Sequence, residues 1–437
     1  MLSVREMVRW KKKRAATYVV FLCLYFLIGL ELGCINATLW IYVSTVLKPK
    51  NVKMWYGLIN AAFYVPSLFV PPIVSRFVDK TRRVKVCLVS IMFLCIAGSC
   101  LYPIHISHLF PLLGRFLSGF SIALTPVIVS EVARSYTKSE VKQRLPLLYG
   151  SRMVGYGVGP CISAFLIKVD FWIGLIHITY ANVIGPILCG ICVTITLTII
   201  FFCHDLSREY DMKAAIMSKE EQRGHELSSS ESALGAFKKI LKTTDTLLVV
   251  VLSVFFGILE QMIFRVLPIL IIENLHFGYG FLNGSLVGFA VLNTAVIVFL
   301  VYWKLSDKQV YYTGIASLLS IIVITSFLFL LYHKLGNVIT WYVLIIASLI
   351  SSILFLLSDQ TFAVVVCAKL AFSCNQAFME AVRIISTQSG RVIGGAFIGI
   401  YYDYMNVFYP VINMISILFL FALISRKKTL SQPVPVI

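Results

Sequence analysis

Apolar runs long enough to cross a bilayer recur along this chain, separated by short polar breaks. They cover residues 17–44, 55–77, 86–104, 109–133, 146–167, 180–203, 246–272, 281–303, 310–332, 342–368, 377–400 and 406–425. About 20 apolar residues suffice for a helix to span hydrocarbon, so the pattern predicts twelve transmembrane helices. The tenth run is interrupted by Ser358, Asp359, Gln360 and Thr361. It is kept as one helix, because splitting it gives an odd count and moves the basic end (Arg426, Lys427, Lys428) to the other side. The first run is too long for the apolar core of a signal peptide.

One long polar stretch, His204 to Asp245, separates the sixth run from the seventh. The expected organisation is a six-helix bundle over 1–203, a cytosolic linker over 204–245 and a second six-helix bundle over 246–437. Within the linker, Leu234, Phe237 and Leu241 fall at helical spacing among lysines. That segment reads equally as a helix on the inner membrane surface and as a solvated connection.

Basic residues in short loops set orientation. Arg9, Lys11, Lys12, Lys13 and Arg14 precede the first run. Lys80, Arg82, Arg83 and Lys85 follow the second, Arg134, Lys138, Lys142 and Arg144 the fourth, and Lys304 and Lys308 the eighth. All fall on one side, so both termini are expected in the cytosol. Lys48, Lys50 and Lys53 in the first outer loop are a smaller opposing signal.

Composition agrees with the pattern. The chain is 59% hydrophobic and 13% charged, against about 25% charged for a soluble domain. The net charge of +18 lies in inter-helix loops and at the ends, which points to topology and anionic lipid headgroups rather than nucleic acid. The 11 cysteines sit in or beside apolar runs, at no metal-ligand or disulfide-framework spacing. No metal or cofactor is expected. No GxxxxGK[ST], HExxH or nucleophile elbow supports an enzyme.

The two halves echo one another. Gly29-Leu30-Glu31 matches Gly257-Ile258-Leu259-Glu260, Asp79-Lys80 matches Asp307-Lys308, and Arg152-Met153-Val154-Gly155 matches Arg391-Val392-Ile393-Gly394. The offsets, about 229, 228 and 239 residues, point to a duplicated six-helix unit.

Three segments carry a family resemblance. Ser75–Arg83 (SRFVDKTRR) resembles the loop signature of the major facilitator superfamily through Asp79, Lys80 and Arg83, with Ser75 and Arg82 in place of its two glycines. Arg115 and Gly119 resemble its R-x-x-x-G element, and Gly150–Ala164 its glycine- and proline-bearing fifth helix. Trp40-Ile41-Tyr42, Cys100-Leu101-Tyr102, Ser130–Pro160 and Ser389–Phe397 are similar to a lysosomal branch of that family, from which Glu31, Glu260 and Val129 depart. The resemblance implies two pseudo-symmetric bundles around a central cavity lined by helices 1, 4, 7 and 10, and an endolysosomal membrane.

Ionisable residues at membrane depth are the candidate chemistry, because a charge facing lipid costs several kcal/mol and so turns inward. Glu31, Arg115, Glu260, Arg265, Asp359 and Gln360 form the expected substrate or proton pathway; the alternative for each is a structural ion pair. Glu31 and Glu260 are expected to face one another across the cavity. Asp79, Arg83 and Glu131 are the expected cytosolic gate, with Arg152, Gly159, Pro160 and Arg391 as gating or packing residues. Plain topology charges are the alternative. Glu380 and Arg383 are expected to pair. His105, His108, His177 and His333 lie near outer loops, as ordinary loop residues or as sensors of luminal pH.

The function these features imply is secondary transport of a small polar or anionic solute, with protons as a coupling partner and membrane lipids as surroundings. A passive anion channel and a non-transporting receptor or scaffold on the same fold are the alternatives.

Overall fold

A computed structural model describes residues 4–136, 138–174, 176–206, 244–274, 276–303, 307–334 and 376–427, with residue 346. The tenth expected span, with Asp359 and Gln360, and the linker segment Ser232–Lys242 lie outside these residues. The described chain is helical apart from one short hairpin. Its helices are α1 (Val4–Ile41), α2 (Val52–Ala62), α3 (Val70–Thr81), α4 (Val84–Leu101), α5 (Leu109–Ser118), α6 (Leu124–Ser135), α7 (Lys138–Phe165), α8 (Ile184–Phe202), α9 (Thr244–Ile269), α10 (Tyr279–Trp303), α11 (Asp307–Lys334), α12 (Gln376–Ala396), α13 (Ile398–Asp403) and α14 (Met405–Ser425). Among the described residues, six helical stretches are long and apolar enough to cross a membrane: Val8–Leu47, Val84–Leu101, Leu109–Val132, Ile184–Phe202, Thr244–Met262 and Met405–Ser425.

Four departures from the expected pattern have physical causes. First, α1 begins at Val4, well before the apolar run. The basic cluster continues the helix, since Lys and Arg are good helix formers and Trp10 is buried beneath the guanidinium of Arg14. Second, α7 begins at Lys138, so the basic loop after the fourth span is its first turns. Third, the second expected span is broken. Pro66 lies in a 3-10 turn over Val65–Leu68, and Pro71 and Pro72 open α3, where missing amide donors cost least. Fourth, strands β1 (Asp170–Ile173) and β2 (Ile176–Thr179) pair antiparallel between α7 and α8. Gly174, at φ +58°, makes the turn; that is the left-handed region glycine enters without strain.

The chain divides into two compact units: Met1–Arg223 with Asn283–Thr294, and Gly224–Leu282 with Ala295–Ile437. In the first unit, α1 and α7 cross with their backbones in contact. A Cβ added at Gly29 would lie 1.8 Å from the Arg152 carbonyl oxygen, and one at Gly155 2.1 Å from that of Phe26. In the second, α9 and α12 cross the same way: a Cβ at Gly257 would lie 2.2 Å from the Thr387 oxygen, and one at Gly390 2.0 Å from that of Val254. Small residues permit such approaches in lipid, where helix association depends on packing. The duplication in the sequence is thus a duplicated crossing.

The segment carrying Asn283–Thr294 of α10 belongs with the first unit. There Phe289 meets Tyr156 of α7 edge-on, centroids 6.1 Å apart.

Candidate functional site

Glu31 and Arg115 form a buried ion pair. Glu31 projects from the middle of α1 and Arg115 from α5; Arg115 Nη1 donates to Glu31 Oε1 at 2.7 Å. The two residues are only 7% and 1% exposed. The Arg115 guanidinium also lies 4.2 Å from the centroid of the Phe63 ring, a cation–π contact that strengthens as water is removed. Further along α1, the Asn36 amide donates to the Tyr156 hydroxyl at 2.6 Å.

The second unit builds its pair differently. Glu260 of α9 accepts from Arg391 of α12, with Nε at 3.0 Å and Nη2 at 2.7 Å from the same oxygen, Oε2. These side chains are 29% and 15% exposed, so this pair is the more accessible. Arg265, one turn and a residue beyond Glu260, is buried and donates from Nε to Gln261 Oε1 at 3.3 Å. Pro268 follows it inside α9, and the helix widens into a π turn over Leu270–Asn274. A proline inside a helix removes a backbone bond and bends it.

One residue of spacing explains the difference in partners. Gly29 and Gly257 both lie on the crossing face. Glu31 stands two residues after its glycine and Glu260 three after its own. At about 100° per residue, Glu260 points roughly 60° from the crossing face and Glu31 roughly 160° from it. The first angle reaches the neighbour that crosses, α12. The second reaches the far side, where α5 stands. Arg152 matches Arg391 in sequence, yet the carboxylate of its unit is turned toward Arg115.

The expected gate residues stand on separate elements. Asp79 lies on α3, and its side chain is outside the described set. Arg83 is exposed between α3 and α4. Glu131 is fully buried on α6, close enough to Cys203 to act on its thiol. Burial first, then Asp205 and Glu131, push that thiol up to about 12, with Lys85 acting in the opposite direction. Arg152, Gly159 and Pro160 lie on α7. Gly159 and Pro160 pack against Gly33 of α1. Arg391 is engaged with Glu260. Arg383 is buried on α12, while the side chain of its expected partner Glu380 is outside the described set.

Sequence reasoning missed a cluster at the N-terminal end of the first unit. Arg14 Nη2 donates to Glu140 Oε1 at 3.1 Å, and Nη1 to the Ser135 carbonyl at 3.2 Å. The Arg14 guanidinium stacks 4.3 Å from the Tyr136 ring centroid, and that of Arg144 4.6 Å from Tyr18. Tyr18 and Tyr136 donate to the carbonyls of Arg144 and Arg14. Burial pushes the Tyr136 phenol up, and the two arginines act against it. The cluster ties α1, α6 and α7 together. Its signal was the recurrence of Arg and Tyr beside the first and fourth runs, read only as topology.

Among the described residues, no group of three His, Cys, Asp or Glu side chains could hold a metal ion.

The family model described as Major Facilitator Superfamily matches residues 21–371. No curated protein sequence matches the chain. Solved structures do. The inward-open xylose transporter XylE from E. coli aligns with a TM-score of 0.68 at 12% identity, covering 93% of this chain and 95% of that one. The nucleoside transporter NupG aligns at 0.66 and 13% identity, covering 94% and 99%. The human organic anion transporter MFSD10 (TETRAN) aligns at 0.60 and 14% identity, covering 94% and 99%. At these identities the likeness is one of fold.

Proposed function

The chain belongs to the Major Facilitator Superfamily, and from that premise we propose that it carries a small polar or anionic solute by alternating access, coupled to protons. It is a multi-pass membrane transporter with the major facilitator fold, and not an enzyme. The observation that carries the finer reading is that, among the described residues, each unit pairs an acid on a helix of spanning length with an arginine of a neighbouring helix: Glu31 with Arg115 and Glu260 with Arg391. Such residues are costly in a membrane and mark ion or substrate pathways. The more accessible pair is the one a solute anion reaches, by competing with Glu260 for Arg391. The buried pair suits a carboxyl that exchanges a proton while its arginine turns to another acceptor. Asp359 and Gln360 are further members of the proposed pathway. Asp79, Arg83 and Glu131 would close its cytosolic end. The basic loops support a cytosolic side for both termini, and the likeness at Trp40-Ile41-Tyr42 and Ser389–Phe397 supports an endolysosomal membrane.

A second reading, as a receptor or scaffold, draws on the pairing of both acids, which a locked molecule also needs. The test is a solute screen in proteoliposomes with an imposed pH gradient. Accumulation driven by the gradient, and lost in Glu31→Gln or Glu260→Gln with folding intact, supports the carrier. Unaltered pH-driven uptake in both variants and in the double variant removes the proton role. Current without coupling to the gradient makes the protein a channel.

A further inference from the structure

The β1–β2 hairpin carries large apolar side chains on both of its faces, and no described residue of its own unit covers them. All four residues of β1 are exposed. Trp172 is 64% exposed, and Phe171 and Ile173 are also open. The Trp172 ring is nonetheless held in place. It stacks on His177 directly across the ladder, at 4.5 Å and 10° between planes, and His177 Nε2 lies 2.5 Å from Asp170 Oδ1. A two-stranded ribbon this short is marginal in water by itself, and a fixed indole on its open side implies an occupant.

Connectivity limits what that occupant is. Phe165 ends α7, and Asp170 begins β1 five residues later, a reach of at most about 18 Å. The other end of the hairpin leads into α8, which has spanning length and composition. The hairpin therefore sits at the membrane surface, at the end of the unit opposite Arg14 and Glu140. Two demands then fix its depth. Both edges of the ribbon hold backbone groups outside the ladder, which forbid the hydrocarbon core. Phe171, Trp172 and Ile173 disfavour bulk water. Only the boundary between headgroups and acyl chains meets both, and it is where tryptophan is enriched in membrane proteins. Exposed Ile106, Leu109 and Phe165, at the same end, continue the apolar belt toward it.

We propose that the β1–β2 hairpin is a membrane-surface anchor, with Trp172 seated at the headgroup–acyl boundary of the lipid leaflet opposite the N-terminus. The anchor fixes the ends of α7 and α8 against the bilayer. The experiment reads tryptophan fluorescence of the full chain in vesicles of phosphatidylcholine brominated near the headgroup end of the acyl chains. The Trp172 contribution is the difference between the native chain and Trp172→Phe, and buried Trp40 reports that both are folded. The expected result is loss of more than half of that contribution to the brominated lipid, with little loss to iodide present on both vesicle faces. Quenching by iodide with none by the brominated lipid places the hairpin in water and overturns the proposal. Protection from both places it under protein and overturns it as well.

Discussion

Glu260 takes both of its Arg391 hydrogen bonds on a single oxygen, from Nε at 3.0 Å and Nη2 at 2.7 Å. The geometry depends on Glu260 standing three residues after Gly257. Moving the acid one position back, as Leu259→Glu with Glu260→Leu, turns the carboxylate about 100° away from α12. The double variant is expected to lower thermal stability in detergent as Arg391 loses its partner, and to lower uptake with it. Unchanged melting and transport would show that the register is unimportant.

The two acid–arginine pairs should differ in what they contribute to stability. Removing one member of a buried pair strands the other, at a cost of about 3–5 kcal/mol. Glu31→Gln should approach that range, because Arg115 is 1% exposed. Glu260→Gln should cost less, since solvent reaches its pair. Melting temperatures of the two variants by size-exclusion fluorescence check the order. A reversed order contradicts the assigned burial.

The glycines should sort into two classes. Gly29→Ala puts a methyl carbon against the Arg152 carbonyl and should destabilise by at least about 1–3 kcal/mol. Gly190, on α8, has nothing within 4 Å of an added Cβ. Gly190→Ala should be neutral or stabilising by up to about 1 kcal/mol. Equal effects of the two variants on melting would exclude the close crossing of α1 and α7.

Arg82 stands where the related loop signature carries glycine, and it adopts φ +57° at the end of α3, its amide bonded to Val78 at 2.8 Å. A side chain in that region costs roughly 1–2 kcal/mol relative to glycine. Arg82→Gly is therefore expected to raise stability by about 1 kcal/mol, read as a higher melting temperature. A fall would mean that the contacts of the Arg82 side chain outweigh the backbone strain.

The thiols offer a check on helix packing. Cys100 of α4 and Cys189 of α8 bring their sulfurs within 3.4 Å. Mild oxidation should cross-link them, read by mass spectrometry of peptides without reductant. Cys203, with its thiol held at about 12, should stay protonated at neutral pH and alkylate slowly. Rapid labelling of Cys203 would contradict its burial.

Run length made the membrane class legible, because lipid demands long apolar stretches and tolerates little else. The boundaries were less so. Lys11 to Arg14 suit a helix and a solvated flank equally, and only the burial of Trp10 decides between them. The β1–β2 hairpin was readable in principle: DFWI and IHIT are β-branched and aromatic runs flanking a glycine. Lying between the spans 146–167 and 180–203, they read as a loop. Pro66, Pro71 and Pro72 announced the break in the second span. The candidate acids were visible from their depth, but their partners were not. Arg115 is 84 residues from Glu31, and which arginine an acid meets depends on the face it shares with a distant helix. The one-residue difference between Gly-Leu-Glu and Gly-Ile-Leu-Glu was the available clue.

The length of α1 has a mechanical consequence. Its 38 residues make an unbroken rod of roughly 57 Å at 1.5 Å per residue, with Arg14 near one end and Glu31 further along it. Rotation imposed at Arg14, by a headgroup or a bound protein, is delivered to Glu31 without a flexible joint to absorb it. The first helix acts as a crankshaft. A torque applied outside the bilayer turns the carboxylate that stands within it.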